Sequence, residues 1–210
     1  MLTTLHPWRR DRGHMTDPYL LLTPVLALAV LALARFVACD LFSKPEFSPP
    51  PRFVESFDLG ASRMDFTGWV GMAILVGDKP LTVTHLGRIM LTASTAAHEV
   101  ELVQRAGNSG GVDLGTVTIP MSGATQGFAY AKLQSAVVLA VETEYYIVSH
   151  EIAMGDVFHD LDTTVTTTDV AQVTSSVFND DNDNPDLGYQ RLGAPGNTYG
   201  PVDFKYEEPA

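Results

Sequence analysis

The chain has 210 residues, 45% of them hydrophobic, with a single cysteine and a formal net charge of −12. That length suits one ordinary domain behind a short leader, and one cysteine excludes an internal disulfide framework or a cysteine-based zinc cage. The acidic balance lacks the clustered Lys and Arg that a phosphate backbone demands, so nucleic acid is excluded as an expected partner.

Residues 1–18 form a basic N-terminal region carrying Arg9, Arg10 and Arg12. Residues 19–39 follow as a signal or transmembrane anchor segment, with "LLLTPVLALAVLALA" free of charge from Leu20 to Ala34. Positive charge ahead of an apolar run is the mark of export or membrane insertion. Three fates stay open. Cleavage near Ala34 fits the small-x-small pattern "ALA". Lipidation at Cys39 fits "FVAC", which resembles a bacterial lipobox, although Phe36 and Arg35 depart from the usual aliphatic pattern. Retention as a hydrophobic helix is also open, since Leu20 to Ala38 would span about 28 Å, close to a bilayer core. Each fate leaves the arginines inside and the rest outside. The expected location is the bacterial cell envelope, membrane-anchored, with secretion after cleavage as the alternative.

Residues 40–52 read as a spacer. Pro45 and Pro49 to Pro51 favour extended polyproline II and exclude a helix. From 53 to 210 no apolar pattern of helical period persists, and short Val-, Ile-, Thr- and aromatic-rich runs alternate with turn residues. "PLTVTHLGRIML" places Leu81, Val83 and, by continued alternation, His85 on one face. "HEVELV" puts Val100 and Leu102 on one face, with Glu99 and Glu101 on the other. "VDLGTVTIP" returns as a strand and stops at Pro120. "GFAYAKL" sets Phe128 beside Tyr130. "AVVLAVETEYYIVSH" predicts two strands with a turn at Glu142. "DTTVTTTDVAQVTSSVF" predicts strand broken near Asp169, and Val202, Phe204 and Tyr206 share a face of a final strand. About ten short strands without crossover helices predict an all-β, antiparallel β-sandwich, jelly-roll-like, preceded by the N-terminal hydrophobic helix.

Three of these stretches also carry a resemblance. His98 to Val103, Leu114 to Ile119 and Ala136 to Ser149 resemble the domain of unknown function 4082 family, with its "HTVSLW", "LLATATF" and "PV-L-AGTTY-V-S" strands. The resemblance covers roughly 80–151. Val103 stands where the family often has Trp, and Val141 and Glu142 replace the "GT" of its turn. The family implies an exported antiparallel sandwich similar to carbohydrate-binding modules, and brings no catalytic residues.

Charge is uneven along the chain. Past Cys39 there are nine Lys and Arg against twenty-three Asp and Glu, a net charge of −14, and none of the positive residues lies between Lys132 and Arg191. A solvated acidic face and a cation site both explain this. "NDDNDNPD" offers Asp180, Asp181, Asp183 and Asp186 as oxygen ligands for calcium, without EF-hand spacing; the alternative is a solvated turn, and no other cofactor is expected. Trp69, Phe66, Tyr189 and Tyr199 are candidates for an aromatic platform. Trp69 sits in a core-like alternation, whereas Tyr189 and Tyr199 lie among Gly, Pro and Asn and are expected to be exposed. His150, Glu151, Asp156, His159, Asp160 and Asp162 form the densest polar cluster, of the right types for a metal or for acid/base chemistry but without a diagnostic spacing. The expected function is a non-catalytic binding or structural module, attached to the membrane by its N-terminal segment, with a glycan or another surface protein as partner. A purely structural envelope component and a hydrolase using His150 to Asp162 are the alternatives.

Overall fold

A computed structural model describes residues 48–91, 94–108, 110–121, 127–180 and 188–208. The hydrophobic N-terminal segment and Cys39 lie outside the described residues. Among the described residues no helix is long and apolar enough to cross a membrane.

The described chain is all-β. In order the strands are β1 (Val54–Asp58), β2 (Ser62–Arg63), β3 (Gly68–Val76), β4 (Leu81–Met90), β5 (Ala97–Ala106), β6 (Gly110–Pro120) and β7 (Gly127–Leu139). They continue as β8 (Glu144–Glu151), β9 (Phe158–Thr167), β10 (Ala171–Asp180), β11 (Gln190–Leu192), β12 (Asn197–Gly200) and β13 (Val202–Glu207). A six-stranded sheet has the order β11-β10-β3-β8-β5-β6, and two smaller sheets have the orders β13-β4-β7 and β1-β9-β12, with β2 also on β9. All pairings are antiparallel.

Residues 51–53 stitch the two smaller sheets into one layer. Phe53 N donates to Phe204 O at 3.0 Å and Tyr206 N donates to Pro51 O at 3.1 Å, while on the other side Thr168 N donates to Phe53 O at 2.9 Å. The end of the expected spacer is therefore part of the sheet, because a Pro carbonyl accepts a ladder bond even though its nitrogen cannot donate one.

One apolar core lies between this layer and the six-stranded sheet. Met72, Ile74, Leu102 and Ile147 come from one side, and Leu81, Leu86 and Phe204 from the other. Phe53 stacks on Phe204 at 4.6 Å. Each such buried side chain contributes about 1.5–3 kcal/mol of transfer free energy. Alternation produces these faces as expected in β5, where Val100 and Leu102 are buried, and in β13, where Val202, Phe204 and Tyr206 are. It fails in β4. A register shift between Val83 and His85 moves the core phase from Leu81 and Val83 to Leu86 and Met90. A one-residue slip flips every following side chain, so His85 leaves the core face and Arg88 joins it.

The pairing registers define two poles. Val54 pairs with Thr167 and Arg63 with Phe158, so the chain arrives at one end of β9 and runs to the other. At ~3.3 Å per residue, the ten residues of β9 span about 30 Å. The arrival pole holds the β3–β4, β7–β8 and β9–β10 turns. The far pole holds the β2–β3, β4–β5 and β8–β9 connections.

Candidate functional site

Two features sit at the far pole, an aromatic cleft and a buried charge network. The cleft has a volume of about 350 Å³. Val70 of β3 and its cross-strand partner Phe178 of β10 line it from the six-stranded sheet. Phe158, Asp160 and Leu161 line it from β9, and Tyr199 from β12. Phe66, Leu192 and Arg63 complete the wall. The rings meet edge to face: Phe66 to Phe178 at 6.2 Å and 82°, Phe178 to Tyr199 at 6.3 Å and 78°, Phe66 to Phe158 at 6.5 Å and 64°.

A bulge in β9 builds this wall. Thr198 pairs with Thr163 but Gly200 pairs with His159, so four residues of β9 oppose two of β12. Bulges re-aim side chains, and here both Phe158 and Leu161 reach the same cleft with Asp160 between them. The segment before β2 locks onto the bulge. Gly60 N donates to Thr163 Oγ1 at 3.0 Å, Ala61 N to Asp162 Oδ1 at 3.0 Å, and Asp160 N to Ala61 O at 2.8 Å. Gly60 approaches so closely that a Cβ there would lie 1.8 Å from Asp162 Oδ1 and 2.7 Å from Thr163 N.

That lock places Arg63 at the rim. Its guanidinium donates to Asp65 Oδ1 at 2.9 Å and to Asp160 Oδ1 at 3.2 Å, and its Cζ stands 5.6 Å from the Phe158 ring centre. The hydrogen bond from Arg63 holds the Asp65 carboxyl below its ordinary range. Burial, and then the Asp160 charge, raise the Tyr199 phenol.

The buried network joins the layers. Arg88 of β4, fully buried, donates through Nε and Nη2 to both oxygens of Glu151 of β8, at 2.9 and 2.8 Å. Ser149 Oγ donates to Glu151 Oε1 at 2.8 Å. The ring of His98 follows, with Nδ1 3.2 Å from His150 O and 3.5 Å from Glu151 Oε2, and Nε2 3.2 Å from Asp156 Oδ2. Asp156 also accepts from Thr95 N at 2.9 Å and Ala96 N at 3.0 Å. A second cleft, of about 310 Å³, opens beside His98, His150, Ile152 and Asp156. Among the described residues no serine, threonine or cysteine lines either far-pole cleft.

The expected polar cluster is dispersed by the fold. Glu151 points inward to Arg88, while His150 lies against Trp69 at 4.9 Å between ring centres. Asp156 serves His98, His159 Nδ1 donates to Gly60 O at 2.8 Å, Asp160 pairs with Arg63 and Asp162 holds Ala61. The four aromatics divide as well. Phe66 and Tyr199 meet in the cleft, whereas Trp69 packs against a cluster on the other face of the six-stranded sheet that includes Tyr189, whose ring is tilted at 48° to that of Tyr146 with centres 5.0 Å apart. The expected exposure of Tyr189 and Tyr199 is corrected: they are 8% and 4% exposed, because each ring covers apolar strand residues. Asp180 ends β10 opposite Gly68; Asp181, Asp183 and Asp186 lie outside the described residues. Among the described residues no three His, Cys, Asp or Glu converge as a metal cage.

Sequence reading missed Arg63, Phe158, Phe178 and the pairing of Arg88 with Glu151, and set Asp160 in a polar cluster instead of on this cleft. The available signal was the large aromatics near the ends of Thr- and Val-rich strands, Phe158 opening β9 and Phe178 near the end of β10. Compared with known proteins, the chain matches no family model, no curated protein and no solved structure.

Proposed function

We propose that the protein is a non-catalytic extracytoplasmic binding module, held at the bacterial cell envelope by its N-terminal segment, that takes a glycan or another surface protein in the far-pole aromatic cleft. The observation that carries this reading is the cleft itself: a concave, mostly apolar wall with a few polar groups converging on its rim, the usual make-up of a ligand site. Two antiparallel layers around one core suit a jelly-roll-like β-sandwich, and the resemblance to the domain of unknown function 4082 family, over roughly 80–151, favours the same kind of exported module. Fold likeness of this sort is an association, so the cleft bears the weight of the argument. The pole arrangement also supports it, because the spacer joins the domain at the end remote from the cleft.

The test is a glycan and surface-protein array probed with the full chain in detergent, alongside a Leu192→Arg variant that fills the cleft mouth. Leu192 is 47% exposed, so the substitution leaves the core alone. Saturable binding by the parent chain, lost in the variant, is the expected result. Identical profiles for the two proteins would overturn the reading.

A further inference from the structure

Most cations of the domain are matched by a carboxylate. Arg63 pairs with Asp65 and Asp160, Lys79 with Glu208, Arg88 with Glu151, and Arg105 and Arg191 with Glu144. Among the described residues, Arg52, Lys132 and Lys205 have no carboxylate within ion-pair range. These three stand together. Arg52 bridges to Lys205 of β13, Lys205 is the register partner of His85 of β4, and His85 is the register partner of Lys132 of β7. Directly opposed residues share a face and lie about 4.5–5.5 Å apart, so four basic side chains cross the sheet in one row. With ~4.8 Å between strands the row is about 14 Å long. All four reach solvent: Arg52 and Lys132 are exposed, and Lys205 and His85 half-buried.

The row has a cost that the fold does not offset. Like charges directly opposite one another on a sheet repel. Burial, and then the charges of Lys205 and Lys132, lower the His85 imidazole. Lys205 Nζ rests 4.3 Å from the Tyr130 ring centre and Arg52 donates to Glu55 O at 2.8 Å, so neither charge is neutralised. The nearest carboxylates along β13 do not neutralise them either. Asp203 is buried and held by Tyr130 and two backbone N–H groups, and Glu207 stands opposite Thr82. A bound anion would offset the repulsion.

The place of the row names that anion. Arg52 closes the spacer, and residues 40–51 alone separate it from Cys39 at the end of the hydrophobic segment. Those residues reach about 40 Å at full extension, so a domain tethered there presents this sheet close to the bilayer. Val138, opposite Thr82 and 66% exposed, adds an apolar side chain beside the row. We infer that the row docks the β13-β4-β7 face on the phosphate head groups of an anionic bilayer, the membrane that the chain's own N-terminal segment enters. This rests on the reading that the N-terminal segment holds the domain at the membrane, and goes beyond it by naming the face that turns to the lipid. Each Lys or Arg near an anionic surface strengthens docking about fivefold, and repulsion from the acidic remainder decays within a Debye length of about 8 Å.

The experiment is footprinting with membrane-impermeant sulfosuccinimidyl acetate, read at each lysine by mass spectrometry. The full chain is reconstituted into vesicles of phosphatidylcholine and into vesicles with about a third phosphatidylglycerol. Lys79, on the β3–β4 turn and paired with Glu208, is the internal reference. The expected result is that Lys132 and Lys205 are acetylated about tenfold more slowly, relative to Lys79, on the anionic vesicles. Arg52→Gln, or added salt, is expected to remove most of that protection. Equal rates on the two vesicles would overturn the inference and leave the module reading standing. Protection on neutral vesicles by added polygalacturonate, with none from the anionic lipid, would overturn it in favour of an acidic glycan. A chain that floats with neither vesicle would overturn the tether and the inference with it.

Discussion

Arg88 and Glu151 form a two-bonded ion pair across the two layers, each with at most 1% of its side chain exposed. Arg88 Nη1 also donates to Ile89 O at 2.9 Å and Nη2 to Val157 O at 3.2 Å, so the guanidinium is bonded on all sides that count. Removing one member strands a buried charge and costs about 3–5 kcal/mol, whereas an apolar pair of similar volume is often neutral. Arg88→Met is therefore expected to lower stability by that amount in denaturant unfolding, and Glu151→Leu likewise. The double variant should recover most of the loss. A double variant as unstable as the sum of the singles would show that the pair does not act as a unit.

Asp203 gives stability an unusual pH dependence. Tyr130 reaches over Gly87, where a Cβ would lie 2.6 Å from its ring, and donates to Asp203 Oδ2 at 2.6 Å. Val54 N and Phe204 N both donate to Oδ1. Burial outweighs these bonds and pushes the Asp203 carboxyl up to about 6. A raised folded-state pKa means that the folded state binds the proton more tightly than the unfolded chain. Stability from this group is full below the unfolded value, and falls as pH rises from about 4 to 6, by about 3 kcal/mol. Asp203→Asn should flatten that interval in thermal melts taken across it. A slope unchanged by the substitution would assign it to another group.

Asp156 acts with the opposite sign. Burial tends to raise its carboxyl, but the backbone N–H of Ala96 and the His98 side chain outweigh burial and hold it below its ordinary range. Its contribution is present above the unfolded pKa and is lost as pH falls through the lower folded one. Because it accepts from Thr95 N and Ala96 N, Asp156→Ala is expected to speed amide exchange at both positions, with little change in the core strands. Uniform acceleration throughout the domain would mean global destabilisation instead.

Two backbone substitutions should move stability in opposite directions. Gly60→Ala places a methyl group against Thr163 N, which cannot yield as a side chain can, and should cost about 1–3 kcal/mol. Glu142 holds φ 52°, the left-handed region, while its N–H donates to Val76 O. Glu142→Gly removes that strain and should stabilise by up to about 1 kcal/mol. Denaturant midpoints read both.

These residues show why the strands were legible and the cleft was not. His98 to Leu102 and Val202 to Tyr206 alternate strictly in sequence, so their faces follow from the pleat alone. Glu142 stands at the predicted turn between β7 and β8. Arg88 sits beyond a register shift that no composition reveals, which hid its partner Glu151. The cleft draws on Arg63, Phe66, Phe158, Phe178 and Tyr199, which are scattered over most of the domain, and its wall depends on a bulge in β9. The polar run from His150 to Asp162 looked like one cluster because its members are neighbours in sequence. A strand end, a loop and a bulge send them in separate directions.

The central claim is that the domain stands outside the cytoplasm with its far pole free to bind. Met154 lies at that pole and is 81% exposed, and the native chain has only Cys39 as a background thiol. The direct measurement is labelling of a Met154→Cys variant by a membrane-impermeant maleimide on intact spheroplasts, with the parent chain as control. The account predicts labelling of the variant above the control before lysis. Labelling that arises only after lysis would contradict it.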